Sequence, residues 1–166
     1  MFQRDFKIVS GGQTGADRSA LDWARRHGFT HGGWCPQGRV AEDGAIHKAY
    51  QLKETPSHGY LQRTEWNVRD SCGTVIFSVS ALLTGGSLAT LKFAELHNKP
   101  CLHLHPALDE RQLPRHLLGF IQEHRIRVLN VAGPGSYKEP EVVRLVQHTL
   151  DLAYRQRNEF AGKQRA

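Results

Sequence analysis

Short apolar runs alternate with stretches of helical periodicity along almost the whole chain. Phe6-Lys7-Ile8-Val9 reads as a strand that runs into Ser10-Gly11-Gly12-Gln13-Thr14-Gly15. From Ala16 onward, Ala20, Trp23, Ala24 and His27 recur at spacings of three and four, one stripe of a helix. Gly28 stands where a helix C-cap belongs. Thr30 to Gly44, with Gly32, Gly33, Pro36 and Gly38, reads as loop. A helix over about Leu61 to Ser71 then leads through Gly73 into Thr74-Val75-Ile76-Phe77, a buried-strand pattern.

The unit then repeats in kind. Thr84-Gly85-Gly86-Ser87 opens a helix through Leu88, Leu91, Ala94 and Leu96 that ends near Asn98-Lys99-Pro100. Cys101 to His105 is a strand stopped by Pro106, Leu113 to His124 a helix, and Arg127 to Val131 a strand. Ala132-Gly133-Pro134-Gly135-Ser136 is a turn, and Glu139 to Tyr154 closes the pattern as an amphipathic helix. Strand–helix alternation of this kind predicts a doubly wound α/β fold. Its expected form is a mainly parallel sheet of about five to six strands with helices on both faces. Residues 1–158 are expected to form one ligand-binding domain and 159–166 a frayed basic tail. In such sheets the strand-to-helix loops emerge at one edge and ligands bind there.

Composition narrows the function classes. Of 166 residues, 39% are apolar, enough for a core, and no apolar run approaches the roughly 20 residues of a membrane span. The N-terminus lacks the apolar core of a signal peptide, so the expected location is the cytoplasm. Cys35, Cys72 and Cys101 show no paired spacing, which argues against a disulfide framework or a zinc knuckle. The net charge of +6 invites a nucleic-acid reading. The basic residues are scattered, however, without the interleaved aromatics of a stacking platform, and a ligand-binding domain is expected instead.

The chemistry lies in the loops. Gly11, Gly12 and Gly15 offer bare backbone to an anion, and Gln13, Thr14 and Asp17 add donors and acceptors. This is neither GxGxxG nor a Walker loop, and a tight packing turn is the other reading. Thr84, Gly85, Gly86, Ser87 and Thr90 form a second such cup, with a capped helix start as its alternative. Arg63, Asn67 and Asp70 fall at i, i+4 and i+7 on one helical face, with Trp66 beside them. There Arg63 suits a phosphate, Asn67 and Asp70 a heterocycle's edge, and Trp66 a stacked ring; a solvated ion-paired face is the alternative. Arg39 has the reach to meet an anion, and Glu42 and Asp43 either hold a ribose or metal or cap a helix. Cys101, His103 and His105 alternate along one strand, too spread out to nominate as a metal site. No nucleophile–base pairing is legible. Gly12→Val and Arg63→Ala are expected to remove binding without unfolding the domain.

With these blocks in view, the chain resembles the molybdenum cofactor carrier proteins, from Ile8 to about Ser136. The resemblance rests on Ile8-Val9-Ser10-Gly11-Gly12-Gln13-Thr14-Gly15-Ala16-Asp17, on Cys35-Pro36-Gln37-Gly38-Arg39 with Ala41-Glu42-Asp43-Gly44, and on Arg63-Thr64 with Asn67-Val68-Arg69-Asp70. Gly85-Gly86-Ser87 with Thr90, and Asn130-Val131-Ala132-Gly133-Pro134, complete it. It implies a Rossmann-like fold, a dimer or tetramer, and a non-catalytic role in holding molybdenum cofactor, a phosphorylated molybdopterin, for a molybdoenzyme client. It also adds Gly133 to the ligand-binding residues. The chain departs from that pattern at Gln37, where a lysine is usual, and at Gly135, where an arginine commonly follows Gly-Pro.

The family is similar in turn to a wider nucleotide-binding superfamily that includes the cytokinin-activating phosphoribohydrolases. Their Gly-Thr loop is followed closely by glutamates, whereas here Thr90 precedes Leu91, Lys92 and Phe93 and the first glutamate is Glu95. Two alternatives therefore stand beside the carrier: a purine-nucleotide or nucleotide-sugar sensor, and a phosphoribohydrolase in which Glu65 or Asp70 replaces the missing acid.

Overall fold

Five strands form one parallel sheet at the centre of the computed structural model, which describes residue 2 and residues 5–162. In chain order they are β1 (Lys7–Val9), β2 (Thr30–Gly32), β7 (Gly73–Phe77), β8 (Cys101–Leu104) and β9 (Val128–Ala132). Between β2 and β7 the chain makes two small two-stranded ladders. β3 (Trp34–Cys35) pairs with β6 (Lys53–Glu54), and β4 (Val40–Ala41) pairs with β5 (Gly44–Ala45). The helices are α1 (Ala16–Arg26), α2 (Tyr60–Arg69), α3 (Gly85–Leu96), α4 (Leu113–Glu123) and α5 (Val142–Gly162). The Rossmann-like α/β arrangement expected from the alternation is thus present, and its sheet order is β2-β1-β9-β7-β8. The backbone of residues 159–162 continues α5, and 163–166 of the expected tail lie outside the described residues.

The two faces of the sheet differ in chemistry. Ile8, Val75, Phe77, Leu129 and Val131 point into a core with α1, α4 and α5, where Trp23, Leu117, Leu118, Val146 and Leu150 are fully buried. Each such side chain removed from water contributes about 1.5–3 kcal/mol before entropy is counted. The buried Trp23 keeps its polar atom satisfied by donating from Nε1 to Asp151 Oδ1 at 2.7 Å. On the opposite face α2 packs against α3. The buried side chains these two helices contribute are Thr64, Asn67, Val68, Ser87, Thr90 and Ala94, small or polar for the most part. Two cavities open on that face.

β2 falls in the segment whose sequence reads as loop, because Thr30–Gly32 gives no strand signal. Thr30 is exposed, Gly32 is buried, and β2 sits at the sheet edge, paired only with β1. Gly28 does end α1 as expected, in the left-handed region at φ 70° just after the C-cap His27. Among the described residues, no helix is long and apolar enough to cross a membrane.

Candidate functional site

The glycine-rich loops after β1, β7 and β9 emerge side by side, because β9 lies between β1 and β7 in the sheet. From β1 the chain moves one way, to β2; from β7 it moves the other way, to β8. The loops therefore flank the point where the winding direction reverses, the place at which open α/β sheets bind ligands.

A cavity of about 40 Å³ opens there, lined by Gly11, Asp17, Arg63, Thr64, Asn67, Gly86, Thr90, Asn130, Val131, Ala132 and Gly133. Arg63 reaches across from α2 and lies against Gly11, where an added Cβ would overlap its guanidinium. Its Nη1 donates to Asp17 Oδ2 at 2.8 Å, while its Nε is buried without a partner. Asp17 is 2% exposed, and burial pushes its carboxyl above the ordinary carboxylate value although Arg63 pulls the other way. The amide of Gln13 also donates to Asp17, at 3.3 Å.

The helix α3 supplies the other wall. Thr84 takes an extended N-cap conformation, yet no side chain caps the helix, so its first amides lack the usual hydroxyl partner. Lys138 Nζ instead donates to Thr84 Oγ1 at 2.6 Å. Gly86 faces open space, with nothing within 4 Å of an added Cβ. Gly85 next to it has φ 53°, Ser87 is buried, and Thr90 donates its hydroxyl back to the Gly86 carbonyl at 2.9 Å. Gly133 lies against the backbone carbonyl of Phe77, so its missing side chain serves close strand packing.

Other nominated residues work on the protein itself. Gln13 Oε1 accepts the amides of Thr14 at 3.0 Å and Glu42 at 2.9 Å. The Thr14 hydroxyl donates to Glu42 Oε1 and accepts the Ser136 amide at 3.0 Å. Gly15 is bare where the carbonyl of Pro134 approaches, and the Ala16 amide bonds that same carbonyl at 3.2 Å. These contacts clasp the β1–α1 loop to the β4–β5 ladder and to the loop after β9. Gly135, a departure from the family pattern, leaves room for the Glu42 carboxylate, and Gln37 lies in an exposed 3-10 turn.

Arg39 has all its guanidinium nitrogens occupied by backbone. It donates to the carbonyls of Ile46, His47, Tyr50 and Leu52 at 2.9, 3.0, 2.9 and 3.1 Å. It braces the 46–52 loop and does not line the cavity. Asn67 takes the Trp34 amide at 2.8 Å and donates to the carbonyls of Trp34 and Arg63 at 2.8 and 2.9 Å. Asp70 accepts from Trp34 Nε1 at 2.8 Å. The face of α2 therefore holds Trp34, a residue the sequence pattern did not single out, and Trp66 meets Trp34 edge-on at 4.8 Å between ring centroids. Glu65 pairs with His97 at 3.0 Å, and neither Glu65 nor Asp70 lines the cavity; the carboxylate that does is Asp17.

These placements change what two substitutions test. Gly12 has φ 77°, and an added Cβ would come within 2.5 Å of Leu52 Cδ1, so Gly12→Val strains the fold itself. Arg63→Ala strands a buried carboxylate. Both substitutions therefore bear on stability as well as on binding.

The structure also brings Ser78 Oγ within 2.6 Å of His103 Nε2, a pairing illegible in the sequence. The same hydroxyl donates to the Ser80 carbonyl at 2.6 Å. Burial and the neighbouring His105 push the His103 pKa down. Among the described residues, no group of three His, Cys, Asp or Glu side chains is arranged to hold a metal ion.

Residues 8–154 match the model of the circularly permutated YpsA SLOG family. The chain is similar to a crystal structure from Syntrophus aciditrophicus SB named "Putative molybdenum carrier protein", with 45% identity and a TM-score of 0.86 over 89% of this chain and 93% of that one. A structure of (E)-4-hydroxy-3-methyl-but-2-enyl diphosphate reductase, with 8% identity and a TM-score of 0.39, is too distant to bear on the site. No curated protein matches the chain. The topology gives the word permutated a physical meaning. Numbered in chain order, the five strands lie 2-1-5-3-4; counted from β9 as the first, the same sheet reads 3-2-1-4-5, the commonest doubly wound order. On that count α5 is the first crossover helix, and it packs against α1, with the Tyr154 and Phe2 ring centroids 5.9 Å apart. With residues 8–154 matched, the chain belongs to the circularly permutated YpsA SLOG family.

Proposed function

We propose that this protein holds molybdenum cofactor, a phosphorylated molybdopterin, as a carrier that delivers it to a molybdoenzyme client. The observation that carries the reading is the Arg63 guanidinium, with an unpartnered buried Nε, in a cavity at the reversal point of the sheet. Bare backbone at Gly11 and Gly86 lines the same cavity. The phosphate end of such a ligand fits this chemistry: Arg63 supplies the counter-charge and the uncapped amides of α3 supply donors. About 40 Å³ takes a phosphate-sized group and no ring system, so the pterin of a bound cofactor lies outside it. The 45% identical relative named as a molybdenum carrier supports the choice of ligand. Bound cofactor would supply the molybdenum and its dithiolene; the protein's part is to bind and shield it.

A purine nucleotide is the second reading. It is favoured by the strand order counted from β9, which puts the Gly133-Pro134-Gly135 loop where dinucleotide-binding folds place their phosphate turn.

The test is native purification, denaturation, and mass spectrometry of the released small molecules together with elemental molybdenum. Pterin with molybdenum supports the carrier. A released purine nucleotide sinks it, and free base formed from nucleoside monophosphates would then separate hydrolase from sensor. The native mass in the same experiment reads whether the carrier works as the proposed dimer or tetramer.

A further inference from the structure

A second, larger cavity of about 210 Å³ lies below the first, between the strand faces of Val9 and Val128 and the carboxyl-terminal half of α2. Asn67 is the wall the two cavities share. The chain from β3 to β6 contributes Trp34, Gln51 and Lys53 to its wall. Its rim carries Lys7, Lys53 and Trp34.

Two features of the rim point to a ligand. No carboxylate among the described residues pairs with the ammonium of Lys7 or of Lys53. Asp70, the only carboxylate lining the cavity, is already bound by Arg69 at 2.7 Å and by the Trp34 indole. Two ammonium groups without an ion-pair partner therefore line one space, and an anion bound there gains from both. The second feature is Trp34. Its indole nitrogen is hydrogen-bonded to Asp70, and its amide and carbonyl to Asn67, so its position is fixed before any ligand arrives, and Lys53 Nζ lies 5.6 Å from its ring centroid. A pinned indole and the apolar side chains of Val9 and Val128 line the same cavity, a setting that suits a flat ring.

We infer that this cavity is a second binding site, which takes a planar ring carrying a carboxylate or phosphate, with Lys7 and Lys53 on the anion and Trp34 against the ring. The site does not depend on the carrier reading, because it shares no cation with the first cavity.

Titration of the purified chain with pterin-6-carboxylate, followed by tryptophan fluorescence and calorimetry, tests it, with uncharged pterin as the control for charge. Saturable binding is expected that weakens with added salt, is stronger than for uncharged pterin, and falls about tenfold or more in Lys7→Met/Lys53→Met. Gly86→Leu, which fills the first cavity, leaves it unchanged. Two results overturn the inference: no binding of pterin-6-carboxylate at millimolar concentration, or binding lost in Gly86→Leu and kept in the lysine double variant. Trp34→Leu also weakens binding, and the lysine pair decides the matter if that variant folds poorly. A molybdenum-free native preparation would defeat the proposed function and leave this result standing.

Discussion

Arg63 Nη1 and Asp17 Oδ2 meet at 2.8 Å inside the candidate cavity, with the two side chains 14% and 3% exposed. The pair joins α2 to α1 across the sheet edge, so it serves the fold and the site at once. Removing one partner of a buried pair leaves an uncompensated charge at a cost of about 3–5 kcal/mol. Arg63→Ala is therefore expected to lower stability by that order, and adding Asp17→Asn to recover most of the loss. Chemical denaturation measures both. Full stability in Arg63→Ala alone would show that the pair is not buried as described.

Gly86 and Gly133 separate binding from folding. Gly86 has open space where a side chain would go, whereas Gly133 abuts the Phe77 carbonyl and the Ala16 side chain. Gly86→Leu is expected to abolish sulfate binding at the first cavity with a stability change within about 0.5 kcal/mol. Gly133→Ala is expected to destabilise by about 1–3 kcal/mol, because packed backbone must move. Calorimetric titration with sulfate and a thermal melt on both variants read the contrast.

How much of this was legible in the sequence depended on range. Gly28 ended α1, and Gly85-Gly86 opened α3, because each is a local matter of a few backbone dihedrals. Thr30–Gly32 escaped because an edge strand without apolar alternation is defined by its partner β1, not by its own residues. Within the site, Arg63 and Asp17 were nominated separately, and nothing in either segment announces that they meet across 46 positions. Arg39, Asn67 and Asp70 were nominated for their chemistry, which is real but spent on Ile46, Tyr50 and Trp34. Polar side chains that hold irregular chain look the same in a sequence as polar side chains that hold a ligand.

Asn67 is the clearest case. It is 3% exposed and makes three hydrogen bonds, two of them to the backbone of Trp34. At about 1 kcal/mol net for each bond, plus the cost of stranded partners, Asn67→Ala is expected to destabilise by about 2–4 kcal/mol. It should also release β3 from α2. Hydrogen exchange at the Trp34 amide reports the release directly, and unchanged protection there would contradict the assignment.

Arg39 is expected to behave as a brace. Arg39→Ala removes donors from four carbonyls in the 46–52 loop. Exchange and proteolytic cleavage in that loop should rise, while sulfate affinity at the first cavity stays as in the wild type. A loss of sulfate affinity with an intact loop would return Arg39 to the ligand-binding set.

Asp17 makes the site sensitive to pH, and the sign follows from its environment. Burial, the largest influence, raises its pKa in the folded chain above the value it has when unfolded, and Arg63 only partly opposes this. Between those two values the native state binds more protons than the unfolded one, so unfolding free energy falls as pH rises. The contribution is fully present below the unfolded pKa of about 3.9 and is lost as pH rises through the folded value. An anion entering the cavity adds negative charge beside Asp17 and raises its pKa further, so binding takes up a proton. Sulfate does not titrate in this range and isolates the effect. Its affinity for the wild type is expected to increase as pH falls, whereas Asp17→Asn should bind more tightly near neutrality and with no such slope. Calorimetry in two buffers of different ionisation heat counts the protons taken up; the same slope in the variant would assign the pH dependence to another group.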